Sequence, residues 1–504
     1  MRSPPDLRRA VPSFSLRQKA ETHGKRVALR EGGAQWTYED LLDHSDRVAS
    51  ALLAGEKDLQ ERRVGVLLPA GLHYAAAQWG VWRAGGVFVP LSTTATEKEV
   101  SYAIADAEIN CLITTPESAA KIKAGAPVHV LPVGEALSAA ARTEYPGIDA
   151  ARRAMILYTS GTTSKPKGVV TTHACIAAQI ESLVEAWKWS PEDRIPLFLP
   201  LHHVHGIINV LCSALWSGAQ VDSFTRFDAP AVFSRVAADA YTVFMAVPTI
   251  YVKMIEALES SEPAERGKVV DGFARMRLMV SGSAALPAGI HRRWEELTGQ
   301  KLLERYGMTE IGMALANPYE GERRPGAVGL PLPGVFVRLK NEEGEVVNAE
   351  DEPGEIQVRG PSVFLEYWRR PEITAESFDE GWFRTGDIAV REKGYYRIMG
   401  RSSVDIIKSG GYKLSALEIE AVLLDHPGIA ECAVLGVEDP TWGESVAAAI
   451  VPAAEAKIDE SGLRAWCKER MSPYKVPRLF TFVSGLPRNA MGKVTKPEVK
   501  KLFA

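Results

Sequence analysis

The sequence predicts an α/β fold, with a large N-terminal domain of α/β sheets, a small β-barrel subdomain and a C-terminal α+β domain. Three observations predict it. Short apolar runs alternate with helical stretches through the first two-thirds of the 504 residues, the pattern of largely parallel sheets. From Gly326 to Gly360, Gly and Pro punctuate short alternating runs instead. After Gly400-Arg401 the pattern shifts once more.

In chain order, residues 64–68, 87–91, 154–158, 243–247 and 278–280 read as buried strands, each a short apolar run. Residues 176–187 and 288–297 between them read as helices. The apolar stretch 204–221 holds Gly206, Asn209, Ser213, Ser217 and Gly218, which suits one buried helix better than a lipid-facing one. Residues 335–339 and 355–358 read as strands of the small subdomain. Beyond it, helices are expected at 416–425 and 460–471, and strands at 433–436 and 447–451. This divides the chain into an N-terminal domain, 1–400, and a C-terminal domain, 401–504, with a hinge at 401–404.

Composition excludes several functions. The formal charge is −4, which argues against a nucleic-acid partner, since that would call for a strongly basic face. A local basic cluster in the tail, Arg488, Lys493, Lys496, Lys500 and Lys501 against Glu498, could still hold a polyphosphate. Cys111, Cys175, Cys212, Cys432 and Cys467 form no C-x-x-C pair and suit reduced thiols. No membrane insertion is expected. The N-terminal twenty residues are rich in Arg, but Pro4, Pro5 and Pro12 break any helix there, so a solvated tail is expected rather than a transit segment. A cytoplasmic location follows, with the mitochondrial matrix as the alternative.

Directly after the apolar run 154–158 comes Thr159-Ser160-Gly161-Thr162-Thr163-Ser164-Lys165-Pro166-Lys167-Gly168. Small hydroxyl residues and glycines expose backbone N–H groups, and the lysines add charge, which suits a polyphosphate. The run lacks the G-K-[ST] of a Walker A loop. Residues 200–206 include His202, His203 and His205, but no carboxylate or cysteine stands at zinc-ligand spacing beside them.

The loop resembles the phosphate loop of the adenylate-forming superfamily of acyl-CoA synthetases, luciferases and peptide-synthetase adenylation domains. Other motifs agree in order: Tyr306-Gly307-Met308-Thr309-Glu310, Thr385-Gly386-Asp387, Gly400-Arg401, and Pro487 through Lys493. The resemblance covers essentially the whole chain. It implies a mobile C-terminal domain and the substrates ATP and coenzyme A with Mg²⁺. It also implies roles for individual residues. Thr159, Ser160, Gly161, Thr162, Thr163, Lys167, Gly282, Ser283, Tyr306, Gly307, Met308, Asp387 and Arg401 would bind ATP. Glu310 would hold the metal, Thr309 would reach the α-phosphate, and Lys493 would supply the catalytic charge between carboxylate and phosphate. His205 would gate the carboxylate pocket, Ser403 would be the hinge, and Gly410 and Gly411 would line the coenzyme A tunnel.

The runs around Ser281, Arg305 and Gly410 resemble malonyl-CoA synthetases of the mitochondrial and plant branch. That implies malonate, with methylmalonate as a second substrate. A physical reason stands beside the resemblance. Arg305 precedes the adenine-motif tyrosine, so its strand should line the acyl pocket. A buried guanidinium demands an anion, and the distal carboxylate of malonate supplies one. The competing reading is a structural salt bridge to Glu304 or another neighbouring carboxylate. Ser281 and Met313 are further pocket candidates. Ser164 and Ser403 depart from the superfamily pattern, which usually has Gly at the first position and Asp or Lys at the second. The rival functions are an adenylating ligase for another short carboxylate, one that loads a carrier protein, and a silent binding protein.

Overall fold

The computed structural model describes residues 15–119, 128–159, 166–410, 412–454, 456–488 and 494–503. One sheet has seven strands, in the order Glu366–Tyr367, Lys167–Thr172, Arg153–Thr159, Val87–Pro90, Arg63–Leu67, Cys111–Thr114, His129–Pro132. From Arg153–Thr159 to His129–Pro132 the neighbours run parallel. Parallel strands need crossovers that cover the sheet. Helix Leu72–Arg83 is such a crossover, with Trp79 and Trp82 buried. Helix Tyr38–Leu53 packs on it closely: a Cβ at Gly80 would lie 2.6 Å from that of Val48. Tyr38–Leu53 starts at a capping box between Thr37 and Asp40, which satisfies otherwise unpaired N–H groups.

A second sheet positions the site. Val243–Ala246, Leu278–Ser281 and Leu303–Met308 run parallel. The chain then reverses through Thr309, Glu310 and Ile311 into the antiparallel strands Gly312–Ala316 and Leu330–Pro331. A third sheet joins Ala34–Thr37, Val27–Glu31, Gln220–Ser223 and Arg194–Leu197. The strands read from apolar runs all form, each within a residue or two of its expected ends. The helices His173–Trp187 and Ala288–Thr298 form where two were expected.

The stretch 204–221 is not one helix. It is a π-helix, His205–Cys212, continued by Ser213–Trp216 and then by strand Gln220–Ser223. Gly218 ends the helical run at φ 79°, where a Cβ would sit 2.7 Å from the His23 ring. Uniform apolarity hid a break that only the left-handed glycine marks.

The region of the expected small subdomain is a six-stranded antiparallel sheet from Phe336–Lys340 to Tyr395–Arg401. Beyond Arg401 a turn leads to a five-stranded sheet whose centre is Gly443–Pro452, with helices Ala416–Leu424 and Glu460–Arg470 against it. Here the expected strands are longer than their apolar cores: Ile429–Asp439 and Gly443–Pro452 pair along their whole length. Buried residues up to Tyr396 and those from Ile407 onward make separate cores. No helix among the described residues is long and apolar enough to cross a membrane. All five cysteines are free thiols.

Gly329 lies at φ 92°, where a Cβ would overlap the Ala316 carbonyl oxygen. Gly329→Ala should therefore force Leu330–Pro331 off Gly312–Ala316 and destabilise the fold by ~2–4 kcal/mol. Urea unfolding should show a lower midpoint; a midpoint equal to the parent's would refute the close approach.

Candidate active site

The site is built where strand Leu278–Ser281 ends beside strand Leu303–Met308. Arg305 is 4% exposed. Its guanidinium lies on Gly282, where a Cβ would be 2.5 Å from Nε. Any larger residue there would displace the arginine. Arg305 Nη2 donates to Ser283 Oγ at 3.2 Å, and Ser283 Oγ contacts His205 Nδ1 at 3.2 Å. Ser283 is held at φ 71°, a backbone region that costs a non-glycine residue about 1–3 kcal/mol. His205 opens the π-helix and is buried. Burial, then the nearby Arg305 and His203, hold its pKa well below the ordinary value, so the ring is neutral.

Three buried polar atoms here have no hydrogen-bond partner among the described residues: Arg305 Nε, His205 Nε2 and Ser281 Oγ. Burial pushes the Arg305 guanidinium down to about 9. No carboxylate among the described residues stands at ion-pair distance from it. The structural salt bridge to Glu304 is thereby excluded. Neighbours on a strand face opposite sides, and Glu304 Oε1 instead accepts from the Gly326 N–H at 2.9 Å. A buried cation that meets no carboxylate among the described residues leaves hydrogen-bonding capacity that an anion could satisfy. Met313 is buried on the facing strand and packs on Gly307, where a Cβ would lie 2.6 Å from Met313 Cε.

The next residue on the strand opens a second cluster. Tyr306 Oη donates to Asp387 Oδ2 at 2.6 Å. Arg401 Nε lies 3.1 Å from Asp387 Oδ1, because Asp387 and Arg401 are cross-strand partners. Burial raises the Asp387 carboxyl, and Arg401 opposes that shift. Beyond Gly307, Met308 and Thr309, Glu310 lies in the reversal between the strands and is buried. Burial raises its carboxyl, against the Tyr367 hydrogen bond and the charges of Lys167 and Arg401. Tyr367 Oη donates to Glu310 Oε1 at 2.8 Å, and Lys167 Nζ sits 4.3 Å from the Tyr367 ring centre. One buried carboxylate with an oriented side chain fits Mg²⁺, which is commonly held by one or two carboxylates and substrate phosphates.

The structure thus brings Ser281, Gly282, Ser283, His205 and Arg305 together, and separately Tyr306, Asp387 and Arg401. Thr159 and Lys167 pair across the strands that flank the phosphate-loop motif. Ser160, Gly161, Thr162, Thr163, Ser164, Gly411 and Lys493 lie outside the described residues. Gly410 has φ 57° and lies under Trp442, whose carbonyl accepts its N–H at 2.9 Å. Ser403 is exposed in the turn after Arg401.

Sequence reasoning missed Tyr367, whose role depends on a fold-level contact with Glu310. It also missed helix Glu97–Asp106: Asp106 Oδ2 accepts from Tyr158 at 2.9 Å, and Tyr102 donates to the Pro166 carbonyl at 2.8 Å. These contacts fasten both flanks of the phosphate-loop motif. No local pattern signals either.

In the basic tail, Arg488 pairs with Glu431, Lys496 with Asp405 and Glu420, and Lys501 with Glu498. Three of its cations thus have acidic partners, while Lys493 lies outside the described residues.

Comparison with known proteins accords with this geometry. Residues 16–368 match the AMP-binding enzyme family, and residues 418–493 match the AMP-binding enzyme C-terminal domain. The mitochondrial malonate–CoA ligase of Mus musculus is 43% identical, over 98% of this chain and 90% of that protein. The malonate–CoA ligase of Arabidopsis thaliana is 39% identical, over 94% of this chain and 86% of that protein. Among solved structures, ATP-bound MatB from Rhodopseudomonas palustris superposes with a TM-score of 0.87 at 33% identity, covering 97% of this chain and 99% of that one. The o-succinylbenzoate CoA synthetase of Bacillus subtilis, in complex with its acyl-adenylate intermediate, gives 0.83 at 28% identity, covering 97% and 98%. The chain belongs to the AMP-binding enzymes. It is a ligase of that family.

Glu304 supplies a pH test of the site strand. Burial pushes its carboxyl up to about 8. A carboxyl raised in the folded state stabilises most when protonated in both states, and that contribution is lost as pH rises through the folded value. Glu304→Gln, which can still accept from Gly326, should match the parent near the ordinary carboxyl range. Its advantage in unfolding free energy should grow up to about pH 8 and then level off. A difference independent of pH would show that Glu304 is not held in this environment.

Proposed function

We propose that this enzyme ligates malonate to coenzyme A, using ATP and passing through malonyl-AMP. The observation that carries the substrate is the buried Arg305, which meets no carboxylate among the described residues. The malonate–CoA ligases among the relatives support the same reading. The distal carboxylate of malonate would accept from Arg305 in bidentate geometry, with Ser281 and neutral His205 as further donors. Met313 would close the pocket against longer chains. Methylmalonate, one methyl larger, is the second substrate.

The reacting carboxylate would then face the nucleotide. Asp387 and Arg401 would hold the ribose, Gly282 and Ser283 the purine side, and Thr309 the α-phosphate. Thr159, Ser160, Gly161, Thr162, Thr163 and Lys167 would hold the outer phosphates. Mg²⁺ on Glu310 would offset the triphosphate charge. A malonate oxygen attacks the α-phosphorus and pyrophosphate leaves. Lys493 would balance the negative charge shared by carboxylate and phosphate. In the second half-reaction the coenzyme A thiolate attacks the acyl carbon and AMP leaves, with Gly410 and Gly411 lining the pantetheine path. The working division is 1–400 and 401–504, with Ser403 as the pivot. The free thiols suit the cytoplasm or the mitochondrial matrix.

Arg305→Leu tests the substrate. An unpaired malonate charge in an apolar pocket should lower kcat/KM by roughly 10²–10³-fold. Butyrate lacks that charge and should suffer little. An unchanged ratio of malonate to butyrate would refute the role of Arg305, and a parent that prefers butyrate would refute the dicarboxylate.

Lys493→Ala tests the chemistry. Adenylation, followed by pyrophosphate exchange, should fall by roughly 10²–10³-fold, the scale of one lost charge-stabilising group. Thioester formation from supplied malonyl-AMP should be spared. Equal loss in both half-reactions would contradict the assignment.

A further inference from the structure

Lys496 is a lysine buried between two carboxylates far from it in sequence. Its Nζ lies 2.6 Å from Asp405 Oδ1 and 2.9 Å from Glu420 Oε1. All three side chains are 15% exposed or less. Glu420 is anchored from helix Ala416–Leu424 and also accepts from the Val434 N–H at 2.8 Å. Asp405 closes the turn after Arg401: its Oδ2 accepts from the Arg401 N–H at 3.0 Å, and its own N–H donates to the Arg401 carbonyl at 2.8 Å. Gly400, at φ 129°, has no room for a side chain, because a Cβ would overlap that of Asp405. The guanidinium of Arg401 then meets Asp387.

We propose that Lys496 is a positioning residue for the nucleotide site: it holds Asp405 in the turn, and the turn aims Arg401 at Asp387. The physical reason is electrostatic. Without the ammonium, Asp405 and Glu420 are two neighbouring buried carboxylates that repel, and a buried charge that loses its partner seeks solvent. Asp405 would leave the Arg401 N–H, and the turn that carries Ser403 would lose its clasp. Lys496 also opens the last helix, Lys496–Lys500. It therefore ties the end of the chain to the turn where the C-terminal part begins. This proposal rests on Arg401 and Asp387 contacting the nucleotide.

AMP binding, measured by calorimetry on the full chain, tests it without any assumption about the acyl substrate. Lys496→Met should weaken AMP binding about five- to tenfold, the scale of one hydrogen-bonded contact. Lys496→Arg should restore it to within about twofold, since it keeps the charge. Because Lys496 acts through Arg401, Lys496→Met should add no further loss to Arg401→Met. A merely structural role would give additive losses, and that result would overturn the proposal. So would parent-like AMP binding by a folded Lys496→Met. Should Lys496→Met not fold, Asp405→Asn carries the same test, because it keeps the size of the side chain and removes the ion pair. Its AMP binding should also weaken, and parent-like binding would overturn the proposal. AMP binding insensitive to Arg401→Met would overturn the nucleotide reading itself, and this proposal with it.

Discussion

A guanidinium with no counter-ion among the described residues, buried on strand Leu303–Met308, is the constraint around which this end of the site is arranged. Burying a charge costs several kcal/mol unless it is paired. The fold accepts that cost with Arg305 and surrounds it with features of no other evident use. Gly282 leaves a flat surface for the guanidinium, Ser283 adopts a strained backbone to present its hydroxyl, and His205 turns a ring nitrogen toward that hydroxyl.

The same strand joins this arginine to the cluster of Tyr306, Asp387 and Arg401. Arg305 and Tyr306 are adjacent, and alternation sends them to opposite sides. The arginine therefore lies against Gly282 and Ser283 while the tyrosine reaches Asp387. A bulge between Tyr306 and Gly307 follows at once, and Gly307 lets the returning strand pass, since a Cβ there would overlap the Gly312 carbonyl. The reversal then delivers Glu310 to Tyr367. Arg305, Tyr306 and Glu310 are thus spaced by one strand and one turn, so a shift in register would move all of them together.

Buried charge organises the C-terminal side as well, but there it is paired. Lys496 between Asp405 and Glu420 is a closed cluster, whereas Arg305 is an open one.

The sequence by itself determined the architecture and the order of its parts. Apolar runs marked the parallel strands because strands covered on both faces must be apolar throughout. Motif order placed the chain in its family, and the arginine before Tyr306 reads as demanding an anion. What failed was local in appearance and tertiary in cause. The stretch 204–221 looked uniform because composition cannot show that Gly218 must turn left-handed under His23. The acidic partners of Arg488 and Lys496 were not legible because they lie in distant segments, at Asp405, Glu420 and Glu431. Only the tertiary structure decided that Glu304 faces Gly326 and leaves Arg305 without a carboxylate among the described residues, that Tyr367 orients Glu310, and that Lys496 closes the turn after Arg401. Each of these depends on which side chains meet across elements far apart in the chain, and no periodicity within one segment encodes that.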